Sequence, residues 1–163
     1  MNSRQRLLNV FDRRKPDRTP VTLFVSDTDI EDGPPNCVIG ERTDDVIADL
    51  IRFHEVLGID IMLRISVDVF EPIAFGLNSD DWQNSWKFSD RVVMVGNFDQ
   101  VHLLRQGTPE RVRKEVFKIF EQTRGDDGFV FSTSDSIVPG TPKENIHALA
   151  ESALEYASGR SSR

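Results

Sequence analysis

The chain has 163 residues, of which 38% are hydrophobic and 29% charged, as expected for one globular domain with its own core. The formal net charge of −7 argues against non-specific nucleic-acid binding, which needs a basic surface, although a local basic pocket stays compatible with it. No apolar run approaches the roughly 20 residues of a membrane span, and charges interrupt the N-terminal segment where a signal peptide would have its core, so we expect a cytoplasmic protein without a membrane partner.

The first part of the chain predicts a helix followed by a strand. Ser3–Arg13 has apolar residues at helical spacing between arginines, with Ser3 as the N-cap. Pro16 and Pro20 end this helix, because proline cannot continue one. Val21–Val25 then predicts the first strand.

An acidic loop, Ser26–Gly40, follows the first strand. Its acidic side chains are Asp27, Asp29, Glu31 and Asp32. Their spacing matches no EF-hand, so a solvated loop is favoured over a metal site. The single cysteine, Cys37, excludes an internal disulfide and a cysteine-cluster metal site. We expect neither a metal nor a cofactor.

The next helix and strand complete a βαβ unit. Thr43 is the predicted N-cap of the helix, Gly58 ends it, and Ile59–Ile65 is the second strand. His54 lies on or beside the apolar stripe. It is interpreted as a boundary histidine rather than a ligand, because no second histidine has ligand spacing.

Residues 66–90 show no clear period and hold both tryptophans, Trp82 and Trp86. These side chains could line a ligand, but large aromatic residues more often serve packing, which is the favoured interpretation.

A second unit follows. Arg91–Val95 is the run of a buried strand, which Gly96-Asn97 breaks. Thr108 is a good N-cap for the next helix, with Pro109 in its first position. Gly125 is the predicted end of that helix.

Another strand begins at Phe129-Val130-Phe131, and a last helix, Pro142–Ala157, follows Thr141 as its N-cap. The chain is therefore expected to form a single domain over residues 1–163. It divides into an N-terminal helix plus βαβ unit (1–67), an irregular segment (68–90) and a βαβα unit (91–158).

Ligands of parallel α/β folds bind at the carboxyl ends of the strands. If the four predicted strands are neighbours, one aspartate from each end would converge there: Asp27, Asp68, Asp99 and Asp135. Crowded carboxylates raise one another's pKa, which can create a general acid. The alternative, which is favoured, is that strand-end aspartates cap helices and turns.

Two sets of motifs carry a family resemblance. GNFDQ (Gly96–Gln100), TPERVRKEV and GFVFSTSDSIVPGTPKENI resemble the end of the uroporphyrinogen decarboxylase superfamily, which also contains corrinoid-linked methyltransferases. SRQRLLNVFDRRKPDRTPV resembles its N-terminus. The resemblance covers most of the first 70 residues and nearly all of 91–158.

The resemblance implies a partial TIM barrel. Members are (β/α)8 barrels, which need about 250 residues. The chain is similar to a shortened member that lacks the central part, with about four parallel strands and flanking helices. Since four strands cannot close such a barrel, a homodimer is expected, as a two-chain barrel or a pair of packed sheets.

The resemblance also implies site residues. The family element that contains Gly96, Asn97 and Asp99 is present in this chain. Asp68 lies one residue out of register with a family aspartate. Asp135 occupies the position where the family has a histidine or a zinc-binding cysteine. The predicted catalytic residues are Asp68, Asp99 and Asp135, and the predicted substrate-binding residues are Gly96, Asn97, Ser134, Trp82 and Trp86.

The family comparison leaves two functions open. The first is a lyase or methyltransferase acting on a tetrapyrrole or related carboxylated or methylated small molecule. The second is a non-catalytic, truncated binding or interaction module. Decarboxylating members carry arginines after the first strand, where this chain reads FVSDTD, and the methyltransferase His-x-Cys pair has no counterpart. Both departures favour the second function.

Overall fold

The computed structural model describes residues 1–25, 35–60, 93–124 and 128–159. The helices in these ranges are α1 (Ser3–Phe11), α2 (Pro35–Ile39), α3 (Val46–Leu57), α4 (Pro109–Gln122) and α5 (Lys143–Ala157), and the strands are β1 (Met94–Phe98) and β2 (Phe129–Thr133). A π-helix (Gln100–Arg105) follows β1. The predicted single domain stays a prediction, since its irregular segment, 68–90, lies outside the described residues.

The strands form a parallel sheet whose order follows from backbone hydrogen bonds. β1 pairs with β2, and Val21 forms a parallel bridge to Phe131 of β2. The Phe131 N–H donates to the Pro20 carbonyl and its carbonyl accepts from the Thr22 N–H, both at 2.9 Å, so this segment lies on the edge of β2 away from β1. The Asp60 N–H donates to the Val21 carbonyl at 2.7 Å. The order across the sheet is therefore Asp60, Val21, β2, β1.

Two strand predictions need correction. Val21–Val25 forms a single bridge at Val21 rather than a full strand, although the Phe24 carbonyl still accepts from the Ile137 N–H at 3.3 Å. β1 begins at Met94 and continues through Gly96, which was expected to break it. Gly96 has φ 141°, a conformation that glycine adopts without a steric penalty. The predicted count of about four strands stays a prediction, because residues 61–65 lie outside the described part.

Two N-caps also differ from the prediction. Asn2, not Ser3, caps α1 and accepts from the Gln5 N–H at 2.8 Å. Asp45, not Thr43, caps α3. In both places several residues able to cap follow one another, so local chemistry alone does not select one of them.

The start of α4 is confirmed, with Thr108 as N-cap and Pro109 in the first turn. Gly58 ends α3 in the left-handed conformation at φ 68°, also as predicted. Thr141 does not cap α5, since Pro142 occupies the N-cap position without a side-chain cap hydrogen bond. The Thr141 hydroxyl donates to the Val138 carbonyl at 2.6 Å instead. The loop expected over residues 26–40 contains α2, while residues 26–34 lie outside the described part.

The two faces of the sheet are covered differently. Alternation along the strands directs one set of side chains outward, where α3, α4 and α5 bury them. This outer set consists of Val21, Leu23, Val25, Phe98, Phe129 and Phe131. The inner face carries Val95 and Val130, and α1 covers part of it through Leu7 and Val10. Val130 is fully buried there, whereas Val95 is only half-buried.

Candidate functional site

Three neutral polar side chains lie in a row near the C-terminal end of the sheet's inner face. Asn97 of β1 is directly opposite Ser132 of β2. Because Val21 is opposite Phe131, Thr22 is the neighbour of Ser132 on the other side. Neighbouring strands are about 4.8 Å apart, so the three side chains share one level. We call Thr22, Ser132 and Asn97 the strand-end row.

The strand-end row contains unused hydrogen-bonding capacity. Thr22 and Ser132 are fully buried, and neither hydroxyl has a hydrogen-bond partner within the described part of the chain. Leaving such a group unsatisfied costs about 1–3 kcal/mol, so each one calls for an explanation. Asn97 beside them is exposed. Sequence analysis predicted Asn97 but missed both hydroxyl residues, for which alternation along the strands was the available signal.

Asp99 follows β1 and caps the π-helix. Its Oδ1 accepts from the backbone N–H groups of Val101 (2.9 Å) and His102 (2.8 Å). Burial raises the pKa of Asp99, but hydrogen bonds from His102 and Val101 outweigh it and hold the pKa below its ordinary value. The ionised form is therefore favoured, which suits a hydrogen-bond acceptor better than a proton donor. Its predicted catalytic role stays a prediction.

His102 was missed by sequence analysis. Its Nδ1 lies 3.0 Å from Asp99 Oδ2, and its side chain is 75% exposed. When Nδ1 carries the proton it donates to Asp99, which leaves Nε2 as the acceptor. The spacing of three residues between Asp99 and His102 was the signal that could have revealed this pair.

Ser134 and Asp135 lie beyond the end of β2 and are exposed. The Ser134 N–H donates to the Phe98 carbonyl at 2.9 Å, so this loop continues alongside β1. Asp135 Oδ1 accepts from the Ser136 N–H at 2.7 Å, a contact within its own turn. Asp99 and Asp135 therefore follow adjacent paired strands at the same end of the sheet, each with a local hydrogen bond.

Four of the residues singled out from the sequence, Asp27, Asp68, Trp82 and Trp86, lie outside the described residues. Convergence of the four strand-end aspartates stays a prediction.

Asn145 holds in place the π-helix that Asp99 caps and that contains His102. It is buried at the start of α5, and its Nδ2 donates to the carbonyls of Leu104 (2.8 Å) and Gly107 (3.0 Å). These carbonyls belong to the end of the π-helix and the turn after it, so α5 holds the loop in place.

His54 is fully buried, so the prediction of a boundary position was wrong. Its Nδ1 lies 2.8 Å from the Leu50 carbonyl, the geometry of a donated hydrogen bond, while Nε2 has no partner within the described ranges. Burial lowers the pKa of His54. This effect outweighs the contributions of backbone groups and of Asp60, which raise the pKa.

The described part of the chain has one further surface feature of note, a cleft away from the strand-end row. A cleft of about 300 Å³ lies at the opposite end of the sheet, between residues 15–19 and the C-terminal ends of α4 and α5. Among the described residues, no cluster of three or more histidine, cysteine or acidic side chains could hold a metal ion. None of the described helices is long and apolar enough to cross a membrane.

A parallel sheet with helices on its outer face and polar groups at its C-terminal end is the arrangement of (β/α)-barrel proteins. The chain belongs to the uroporphyrinogen decarboxylase (URO-D) family, whose model matches residues 53–156. The superfamily prediction is confirmed, and this family has the TIM-barrel type of α/β fold.

Similar curated proteins include the uroporphyrinogen decarboxylase of Rickettsia akari (strain Hartford), 37% identical over 100 residues, which are 61% of this chain and 25% of that protein. The Rickettsia massiliae (strain Mtu5) enzyme of the same name is 33% identical over 105 residues, 64% of this chain and 26% of that protein. The Vesicomyosocius okutanii protein is 31% identical over 70 residues, 43% of this chain and 20% of that protein. The chain thus spans a fifth to a quarter of these relatives.

Proposed function

We propose that the chain forms part of a uroporphyrinogen decarboxylase-like site, which acts as a carboxy-lyase on a tetrapyrrole or related carboxylated small molecule. The observation that carries this proposal is the family match over residues 53–156, which includes both strands and the loops after them. The ligand would lie against the strand-end row. A methyltransferase of the same superfamily is the less supported version, since the named relatives are decarboxylases.

Each predicted site residue has a proposed role. Asn97 and Ser134 are exposed at the strand ends and donate hydrogen bonds to ligand oxygens. Gly96 supplies the positive φ that β1 adopts just before Asn97. Ionised Asp99 accepts from a ligand N–H or orients His102. Asp135 supplies a second carboxylate, while Asp68, Trp82 and Trp86 complete the pocket in this proposal.

A non-catalytic binding module is the second candidate. It is favoured by the contacts of Asp99, whose two oxygens already accept hydrogen bonds from the π-helix. A carboxylate engaged in this way has little capacity left for proton transfer. In this version the site holds the ligand without turnover.

Ligand-dependent thermal unfolding tests the proposal. Uroporphyrin should raise the melting temperature, since a ligand at 100 times its Kd adds about 2.7 kcal/mol to the native state. Benzenehexacarboxylate, a polyacid without the macrocycle, is the control for charge alone. Asn97→Ala should reduce the shift, whereas Asp12→Asn, an exposed change on another part of the chain, should preserve it.

Three outcomes separate the candidates. A uroporphyrin-specific shift with release of CO₂ from the reduced porphyrinogen supports the carboxy-lyase. The same shift without CO₂ release supports the binding module. No shift at ligand concentrations well above micromolar contradicts both.

We also propose a cytoplasmic homodimer without nucleic-acid or membrane partners.

A further inference from the structure

The side chain of Asn145 connects α5 to the π-helix that follows β1. Asn145 is the third residue of α5 and is only 2% exposed. A side-chain amide nitrogen carries two hydrogens, and Nδ2 of Asn145 donates to the carbonyls of Leu104 (2.8 Å) and Gly107 (3.0 Å). These partners precede it by 41 and 38 positions. The contact therefore joins two elements that are far apart along the chain.

The Leu104 carbonyl cannot be satisfied by the hydrogen-bond pattern of its own π-helix. In a π-helix each carbonyl accepts from the N–H five residues later, and the last carbonyls of any helix have no partner within it. The residue five positions after Leu104 is Pro109, which has no N–H. Asn145 thus supplies the donor that Pro109 lacks.

Leu104 also joins Asn145 to Asp99. The Leu104 N–H donates to the backbone carbonyl of Asp99 at 3.0 Å, while the Leu104 carbonyl accepts from Asn145. The side chain of Leu104 is fully buried, which holds this residue in the core. A path of two hydrogen bonds therefore runs from the start of α5 to Asp99, whose carboxylate lies 3.0 Å from Nδ1 of His102.

We infer that Asn145 is a positioning residue for the ligand contacts of Asp99 and His102. Its own side chain is buried and acts through the π-helix. By fixing the end of this helix, Asn145 also fixes its first turn, from which the exposed imidazole of His102 extends. The effect on a ligand rests on the proposed function, whereas the coupling of α5 to Asp99 does not.

Hydrogen exchange of individual backbone amides tests the coupling without a ligand. In Asn145→Ala the amides of Val101 and Leu104 should exchange about 30-fold faster, as expected for the loss of two hydrogen bonds of ordinary strength. Ser152→Ala is the matched control, because Ser152 is also buried on α5 but its hydroxyl donates to carbonyls of α5 itself. Rates are compared with those of the β2 amides, which separates a local effect from a general loss of stability.

Calorimetric titration with uroporphyrin tests the effect on binding. The affinity should fall about 2- to 30-fold in Asn145→Ala, the range by which residues without ligand contact change binding through a packed network. Ser152→Ala should keep the wild-type affinity. Circular dichroism verifies folding, and Asn145→Ser, which leaves a smaller polar side chain in place, is the second variant if Asn145→Ala does not fold. Its affinity should fall in the same direction.

The outcomes distinguish this inference from the proposed function. Faster exchange near Asp99 together with weaker binding supports both. If the wild type does not bind uroporphyrin, the proposed function is contradicted, and hydrogen exchange alone decides whether Asn145 holds Asp99 in place. Exchange near Asp99 that is no faster in Asn145→Ala than in Ser152→Ala would overturn the inference. So would an unchanged uroporphyrin affinity in a folded Asn145 variant.

Discussion

Buried polar groups are paired at one end of the sheet and lack partners among the described residues at the other. At the N-terminal end, fully buried Asp60 accepts from Arg6, from Arg18 at 2.7 Å and from the Val21 N–H at 3.0 Å. Arg6 also donates two hydrogen bonds to Asp17, at 2.7 and 2.9 Å. At the C-terminal end, the hydroxyls of Thr22 and Ser132 have no partner among the residues that the structure describes.

We expect this difference to divide the two ends by role, with the N-terminal end contributing to stability and the C-terminal end holding the ligand of the proposed function. The ion network joins α1 to the strand segments. Each of its buried charges has a partner of opposite sign within the same chain. At the C-terminal end, the buried hydroxyls of Thr22 and Ser132 have no partner within the described part of the chain, and the exposed Asp135 accepts a hydrogen bond within its own turn. Barrel enzymes generally divide their two ends in this manner, with the ligand at the C-terminal face.

The largest expected effect is that of Asp60→Ala. This change leaves Arg6, which is 6% exposed, and Arg18 without their shared carboxylate, and loss of one buried partner costs about 3–5 kcal/mol. Urea unfolding should show this drop in the free energy of unfolding. Asp12→Ala, which breaks an exposed pair with Arg14, should cost less than about 1 kcal/mol. Similar losses for both variants would contradict the comparison.

Asp99→Ala should have an intermediate effect. Removing an N-cap costs about 1 kcal/mol, and asparagine caps about as well as aspartate. The free energy of unfolding should therefore fall for Asp99→Ala but hardly for Asp99→Asn. If ligand binding falls in both variants, the carboxylate acts on the ligand. Binding that survives in Asp99→Asn would show that Asp99 serves only as a cap.

Acid should destabilise the protein through His54. Its folded-state pKa is lowered by burial, while an unfolded histidine titrates near about 6.5. Below this pH the unfolded chain binds the proton more readily, so stability falls as pH drops and is fully present above it. The free energy of unfolding should decline between about pH 7 and pH 5. His54→Leu should decline less steeply, and an unchanged slope would refute the assignment.

The smallest effect on stability is expected for Thr22→Val. Its hydroxyl lacks a partner within the described part, so replacement by a methyl group should be neutral or slightly stabilising. Thr133→Val is the matched control, because the Thr133 hydroxyl accepts from the Phe24 N–H at 3.2 Å and its loss should cost about 1–3 kcal/mol. A comparable cost for Thr22→Val would mean that its hydroxyl is satisfied in solution.

Sequence analysis succeeded where chemistry is local. Thr108 and Pro109 specify the start of α4 because a cap and a first-turn proline act within one turn. The limits of β1 could not be predicted in this way. The apolar run ends at Val95, but pairing with β2 extends the strand to Phe98. The site roles of Gly96, Asn97, Asp99 and Ser134 stay predictions. Local sequence singled these residues out because they come at or just after apolar runs, whereas the buried hydroxyls of Thr22 and Ser132 needed the inner face to be known.

Local sequence patterns specify the family motifs, most helix positions and the alternation of side chains along each strand. Long-range packing sets the order of the strands, the partners of Asp60 and the position of the strand-end row. The reason is the separation of the interacting groups along the chain. Caps join residues two or three positions apart, whereas Arg6 and Asp60 are 54 positions apart and Phe24 and Thr133 are 109 apart. No local preference specifies contacts of that range.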